Sequence, residues 1–236
     1  SSLAMWPAVV GLIGFFWAEL LWTGGSIPRN LAITIAVYGC ITWIGMFVYG
    51  RETWLQNADP FSLAFKIFSG FAPLETRVRS DAVKRNCQVH ACRYRHTDCV
   101  NGYGCIKNNE PDQIEWNLRP PAVGLLQEMS APISMTVFVL ILLASVTFDG
   151  FLETPLWIKI LDRSMGNEIV LIGNLGLLLM PILFCLVYLV FCSLVVRAAT
   201  LSAGSSSQWE VKNSLEIACA FVLTLVPIAV AYHLAH

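Results

Sequence analysis

Apolar residues along the chain collect into five runs, at Met5 to Thr23, Leu31 to Tyr49, Ile133 to Asp149, Ile169 to Val196 and Leu215 to His236. At about 1.5 Å per helical residue, each run is close to or beyond the ~30 Å of a bilayer's hydrocarbon core. The pattern therefore predicts five transmembrane helices. Spans one, three and five must run in the same direction, so their C-terminal ends share one membrane face. Glu19, Asp149 and the pair His233 and His236 stand at those three ends. Ionisable groups at membrane depth are candidate functional residues by default.

The second loop divides the chain. Pro60 to Leu74 (PFSLAFKIFSGFAPL) is apolar but too short to span, which predicts an interfacial or re-entrant helix. Arg77 to Glu115 is polar, without helix or strand periodicity, and Leu118 to Leu126 (LRPPAVGLL) reads as a turn into the third span. The expected fold is all-α: a polytopic helix bundle of about five spans, one interfacial or re-entrant helix and a cysteine-rich loop insert. Its divisions are residues 1–50 (spans one and two), 51–132 (short helix and extramembrane insert) and 133–236 (spans three to five). Pro181 and Pro227 sit inside the fourth and fifth runs and predict kinks.

Composition agrees. The chain is 56% hydrophobic and 13% charged, against about 25% charged in a soluble domain. A net charge of -1 offers no basic field for nucleic acid. The expected surroundings are the lipid bilayer and other membrane subunits. The chain opens on serine and its last apolar run reaches His236, so further sequence is expected at both ends.

Four of the eight cysteines, Cys87, Cys92, Cys99 and Cys105, lie in the insert with His90 and His96 between them. Two disulfides, a zinc site and free thiols are all open. The intervals hold no CxxC knuckle, and an even number of cysteines in a short polar stretch favours two disulfides. Basic residues at the span ends do not decide sidedness: Arg51, Arg197 and Lys212 oppose Arg29, Lys159 and Arg163. The cysteines favour an extracytoplasmic insert. Cys40, Cys185, Cys192 and Cys219 lie within spans and are expected to stay reduced.

Glu19 and Asp149 sit against the negative end of a helix dipole, so each needs a cation, a donor or a proton. Lys159 or Arg163, in the loop on that face, could supply an ion pair. Alternatively Glu19, Asp149, His233 and His236 hold a transition metal such as zinc, copper or iron. His233 and His236 are three apart on one helix face, with Asn174 and Glu153 as supporting polar groups. No phosphate loop, GxSxG elbow or HExxH motif is present.

Four strings carry a family resemblance: GRETWLQNADPFSLAFKIFSGFAPLE (Gly50 to Glu75), LRPPAVGLL, SVTFDGFLETPLW (Ser145 to Trp157) and LVPIAVAYHLAH (Leu225 to His236). Together they resemble the C-terminal half of a bacterial multi-pass membrane family labelled fenitrothion hydrolase. The cysteine-rich insert is not associated with that family. The resemblance implies a bacterial inner or intracytoplasmic membrane, places Arg51, Glu52, Asp149, His233 and His236 in family motifs, and implies organophosphate-ester hydrolysis. The expected function is that of a non-catalytic or accessory subunit of a membrane complex. The alternative is a membrane-embedded, metal-dependent hydrolase. A transporter is less favoured, since no inverted repeat is visible.

Overall fold

The computed structural model describes residues 4–78, 99–100, 106, 110–126, 131–163, 167–203 and 213–235. It resolves into two compact units, Ser1–Phe68 with Glu128–His236, and Ser69–Gln127.

The first unit is helical. Its elements are α1 (Trp6–Leu20), α2 (Pro28–Tyr49), α3 (Arg51–Asn57), α4 (Pro60–Phe68), α5 (Ile133–Leu152), α6 (Pro155–Asp162), α7 (Asn167–Ala203), α8 (Ser214–Phe221) and α9 (Val226–Ala235). Four stretches are long and apolar enough to cross a membrane: Pro28–Tyr49, Ile133–Leu152, Glu168–Leu201 and Ser214–Tyr232. The chain is an integral membrane protein. The predicted first span is trimmed to the 15 residues of α1, about 22 Å and short of the hydrocarbon thickness. Helical geometry is lost at Trp22, which turns extended (φ -84°, ψ 104°) and leads into a 3-10 turn at Thr23–Ser26.

At the centre stands α5, apolar on every face, as a helix enclosed by its neighbours must be. Twelve of its 20 residues are buried, and α1, α7, α8 and α9 all pack on it. Two of its buried hydroxyls are satisfied locally, Thr136 by the Pro132 carbonyl and Ser145 by that of Leu142, as apolar surroundings favour. The predicted fifth span is interrupted: α8 stops at Phe221, Val222–Leu225 tightens to a 3-10 turn, and α9 resumes at Val226. Pro227 accounts for the break, since it lacks the N–H that would bond the Leu223 carbonyl and its ring crowds that oxygen. Around its own proline, Pro181, α7 stays assigned as one helix of 37 residues.

The short second-loop helix folds back against α1. Gly50, in the left-handed region at φ 85°, reverses the chain after α2, a conformation glycine adopts without Cβ strain. Trp54 of α3 then lies against Gly45 and stacks on Tyr49 at 6.0 Å, so α3 returns alongside α2. Asp59 caps α4 by accepting the Ser62 N–H at 2.7 Å, with Pro60 at the first helical position. Pro60 meets α1 at Gly11, and Phe61 packs edge-on to Phe15 and Tyr38. Tyr38 lies midway along α2, about 15 Å from either end. The α3–α4 turn therefore reaches the middle of the span.

The second unit contains a small sheet, β1 (Leu74–Val78), β2 (Cys99–Val100) and β3 (Ile114–Leu118), in the antiparallel order β2-β1-β3 with Thr76 opposite Trp116. The sequence reading expected no strands here. Glu75 explains the miss: this inward position holds a carboxylate rather than an apolar side chain, so hydropathy shows no alternation. Glu75 is buried with Arg119, whose Nη1 donates to it at 2.9 Å, while Arg77 Nη2 donates to its other oxygen at 2.9 Å. Arg119 also bonds the carbonyls of Ala72 and Ser69.

Candidate functional site

The shared level expected for the odd-numbered span ends is present. From α1, the Trp17 indole N–H donates to Asn174 Oδ1 of α7 at 2.8 Å, and Leu21 packs against Gly173 one residue away. From α5, Phe148 lies on Gly176 of α7, and Trp157 of α6 closes edge-on over Phe148 and Phe151. From α9, the Tyr232 hydroxyl sits so close to Gly150 that a Cβ there would collide with it. The C-terminal ends of α1 and α5 thus meet the N-terminal part of α7, and the end of α9 meets that of α5.

The expected site residues occupy this layer unequally. Glu19 continues the buried Leu12–Phe16 stripe of α1, but its side chain is exposed. Asp149, half-buried, continues the buried Leu142–Ser145 stripe of α5. It makes no ion pair with Lys159 or Arg163 among the described residues, where the ion pairs are those of Glu75. Glu153 is exposed at the C-cap of α5, and Asn174 is taken up by Trp17. His233 follows Tyr232 in α9; its side chain lies outside the described residues, as does His236. Among the described residues no three His, Cys, Asp or Glu groups converge as a metal site needs.

The four span cysteines, Cys40, Cys185, Cys192 and Cys219, are free thiols, as expected. Cys87, Cys92 and Cys105 lie outside the described residues, and of Cys99 only the backbone in β2 is described. The pairing expected for the insert lies with them.

A second polar place was missed. Asp59 is 4% exposed at mid-span. One of its oxygens accepts the Ser62 N–H and the other accepts the Tyr38 hydroxyl from α2. The sequence signal was there: a carboxylate directly before a proline at the head of an apolar segment is an N-cap, and this one begins a helix returning into the bilayer. Tyr232 and Gly150 were missed too, because a close approach between distant helices leaves no local pattern.

No family model, curated protein or solved structure matches the chain. The resemblance to the fenitrothion hydrolase family therefore rests on the quoted motifs alone. Of their residues, Arg51 and Glu52 open α3 on its exposed first turn, and Asp59 belongs to the same string.

Proposed function

We propose that the chain is a non-catalytic subunit that docks into a larger membrane assembly through α2. The observation that carries this reading is the isolation of that helix. Of its 22 residues only Gly45 is buried within the chain. Membrane helices associate by close packing of small residues rather than by the hydrophobic effect. Ala32, Ala36 and Cys40 recur at four-residue intervals on one exposed side of α2, with open space at Gly39. Cys40, a free and exposed thiol, gives the test. In native membranes a thiol-to-amine or thiol-to-thiol cross-linker should join Cys40 to a different membrane polypeptide. Ala36→Trp should abolish the adduct, while a tryptophan at Ile182 on the exposed side of α7 should leave it. A chain that cross-links only to its own copies, or to nothing, defeats the proposal.

One observation favours a second reading, the metal-dependent hydrolase of the family label. The Tyr232 hydroxyl lies against Gly150, and His233 and Asp149 are the sequence neighbours of those two residues. A bound zinc, copper or iron would supply a water acidic enough to act as a nucleophile near neutral pH. Stoichiometric metal in the wild type, lost in His233→Ala and kept in His90→Ala, supports this reading. The same metal content in both variants removes it.

A further inference from the structure

Between α5 and α7 the chain folds into α6, joined by two residues to the first and by four to the second. Both neighbours are long and apolar enough to cross a membrane, and four residues reach at most about 14 Å, so α6 is held at the membrane surface. Its orientation is fixed as well. The Thr154 hydroxyl accepts the Trp157 N–H at 3.3 Å, and the Trp157 ring, 7% exposed, packs edge-on over Phe148 and Phe151 at the end of α5. Trp157 therefore marks the side of α6 turned to the bundle. At about 100° per residue, Leu156 and Ile158 flank it on either side, with the half-buried Ile160 and Leu161 between them. Lys159, Asp162 and Arg163 are exposed on the opposite side.

The apolar arc spans roughly 200°, and contact with the bundle uses only its middle: Leu156 and Ile158, at its edges, stay 59% and 51% exposed. A helix laid flat across the end of a bundle, apolar side inward, turns both edges to what surrounds the bundle at that level. Around the ends of membrane spans that is the boundary between headgroups and acyl chains. The two edges differ in charge. Lys159 and Arg163, one turn apart, border Leu156, whereas Asp162 borders Ile158. Neither cationic side chain has a hydrogen bond or ion pair among the described residues. A pair of free cations beside an exposed apolar edge complements an anionic lipid, whose phosphate lies outside its acyl chains. Asp162 disfavours the same lipid at the Ile158 edge.

We propose that α6 is an in-plane interfacial helix whose Leu156 edge seats an anionic phospholipid, with Lys159 and Arg163 meeting its phosphate. In native membranes, the full chain carrying Leu156→p-benzoylphenylalanine or Ile158→p-benzoylphenylalanine should photo-crosslink to phospholipid, and Asp162→p-benzoylphenylalanine should not. After purification and reconstitution in equimolar phosphatidylglycerol and phosphatidylcholine, the probe at position 156 should label phosphatidylglycerol about fivefold over phosphatidylcholine, the preference of a net single charge. Lys159→Gln with Arg163→Gln should return that ratio to the one read by a probe replacing Leu186, 57% exposed on α7. Each single glutamine change should lower the ratio part-way, which keeps the test decisive if the double variant does not fold. Polypeptide adducts in place of lipid at positions 156 and 158 overturn the proposal. So does lipid labelling at position 162 equal to that at 156, or a lipid ratio at 156 that matches the α7 probe or ignores the glutamine changes.

Discussion

A buried carboxylate against the middle of an apolar helix is tolerated only when its oxygens are used, and Asp59 spends one on each of two elements. The Ser62 amide ties it to α4 and the Tyr38 hydroxyl ties it to α2. Asp59→Ala loses a helix cap, about 1 kcal/mol, and one hydrogen bond of the half-buried Tyr38 hydroxyl, about 0.5–1.5 kcal/mol. Unfolding in detergent should show a loss of ~1.5–2.5 kcal/mol, while Asp59→Asn, whose one oxygen keeps the Ser62 bond and whose amide N–H can donate to the Tyr38 oxygen, should stay within ~1 kcal/mol of wild type. Equal losses in the two variants would mean that the oxygens are not what matters. At the end layer, Gly150→Ala drives a methyl into the Tyr232 hydroxyl and should cost roughly 1–3 kcal/mol. Combining it with Tyr232→Phe should recover most of that loss. A double-mutant cycle reads the coupling, and strictly additive single effects would contradict the contact.

At the level of elements, four of the five expected spans were legible because hydropathy over some twenty residues is set by the bilayer. What escaped was set by partners distant in sequence. β1 hid behind Glu75, whose burial depends on Arg119, 44 positions away. The depth reached by the α3–α4 hairpin depends on contacts with Gly11, Phe15 and Tyr38, none of which α4's own pattern reveals. The break in the last span was readable, because Pro227 acts on its own helix. Replacing Pro227 with alanine restores the missing donor and should convert Val222–Leu225 to α-helix. Hydrogen exchange should then slow at the amides of residues 223–227, and unchanged exchange there would assign the break to packing instead. Arg119→Ala should remove the buried guanidinium that Glu75 faces, at a cost of about 3–5 kcal/mol. Accelerated exchange across β1 and β3 checks this.

For the molecule as a whole, the insert's cysteines bear on sidedness. Mass mapping without reduction should find two disulfides among Cys87, Cys92, Cys99 and Cys105 and none to the span thiols, which fixes the insert in an oxidising compartment. Four alkylatable insert thiols would reverse that assignment. The length of α7 reaches further still. Between Glu168 and Arg197 it offers 28 residues without a charge, about 42 Å of helix to fit into a ~30 Å core. Upright it overshoots by two turns, and lying flush demands a lean of about 45°, beyond the usual 0–40°. The surrounding lipid must therefore thicken or the helix must sprawl, and either response has an energetic cost in thin membranes. The protein is accordingly a gauge of its bilayer: given a choice between domains of short and long acyl chains, it should gather where the hydrocarbon is deepest.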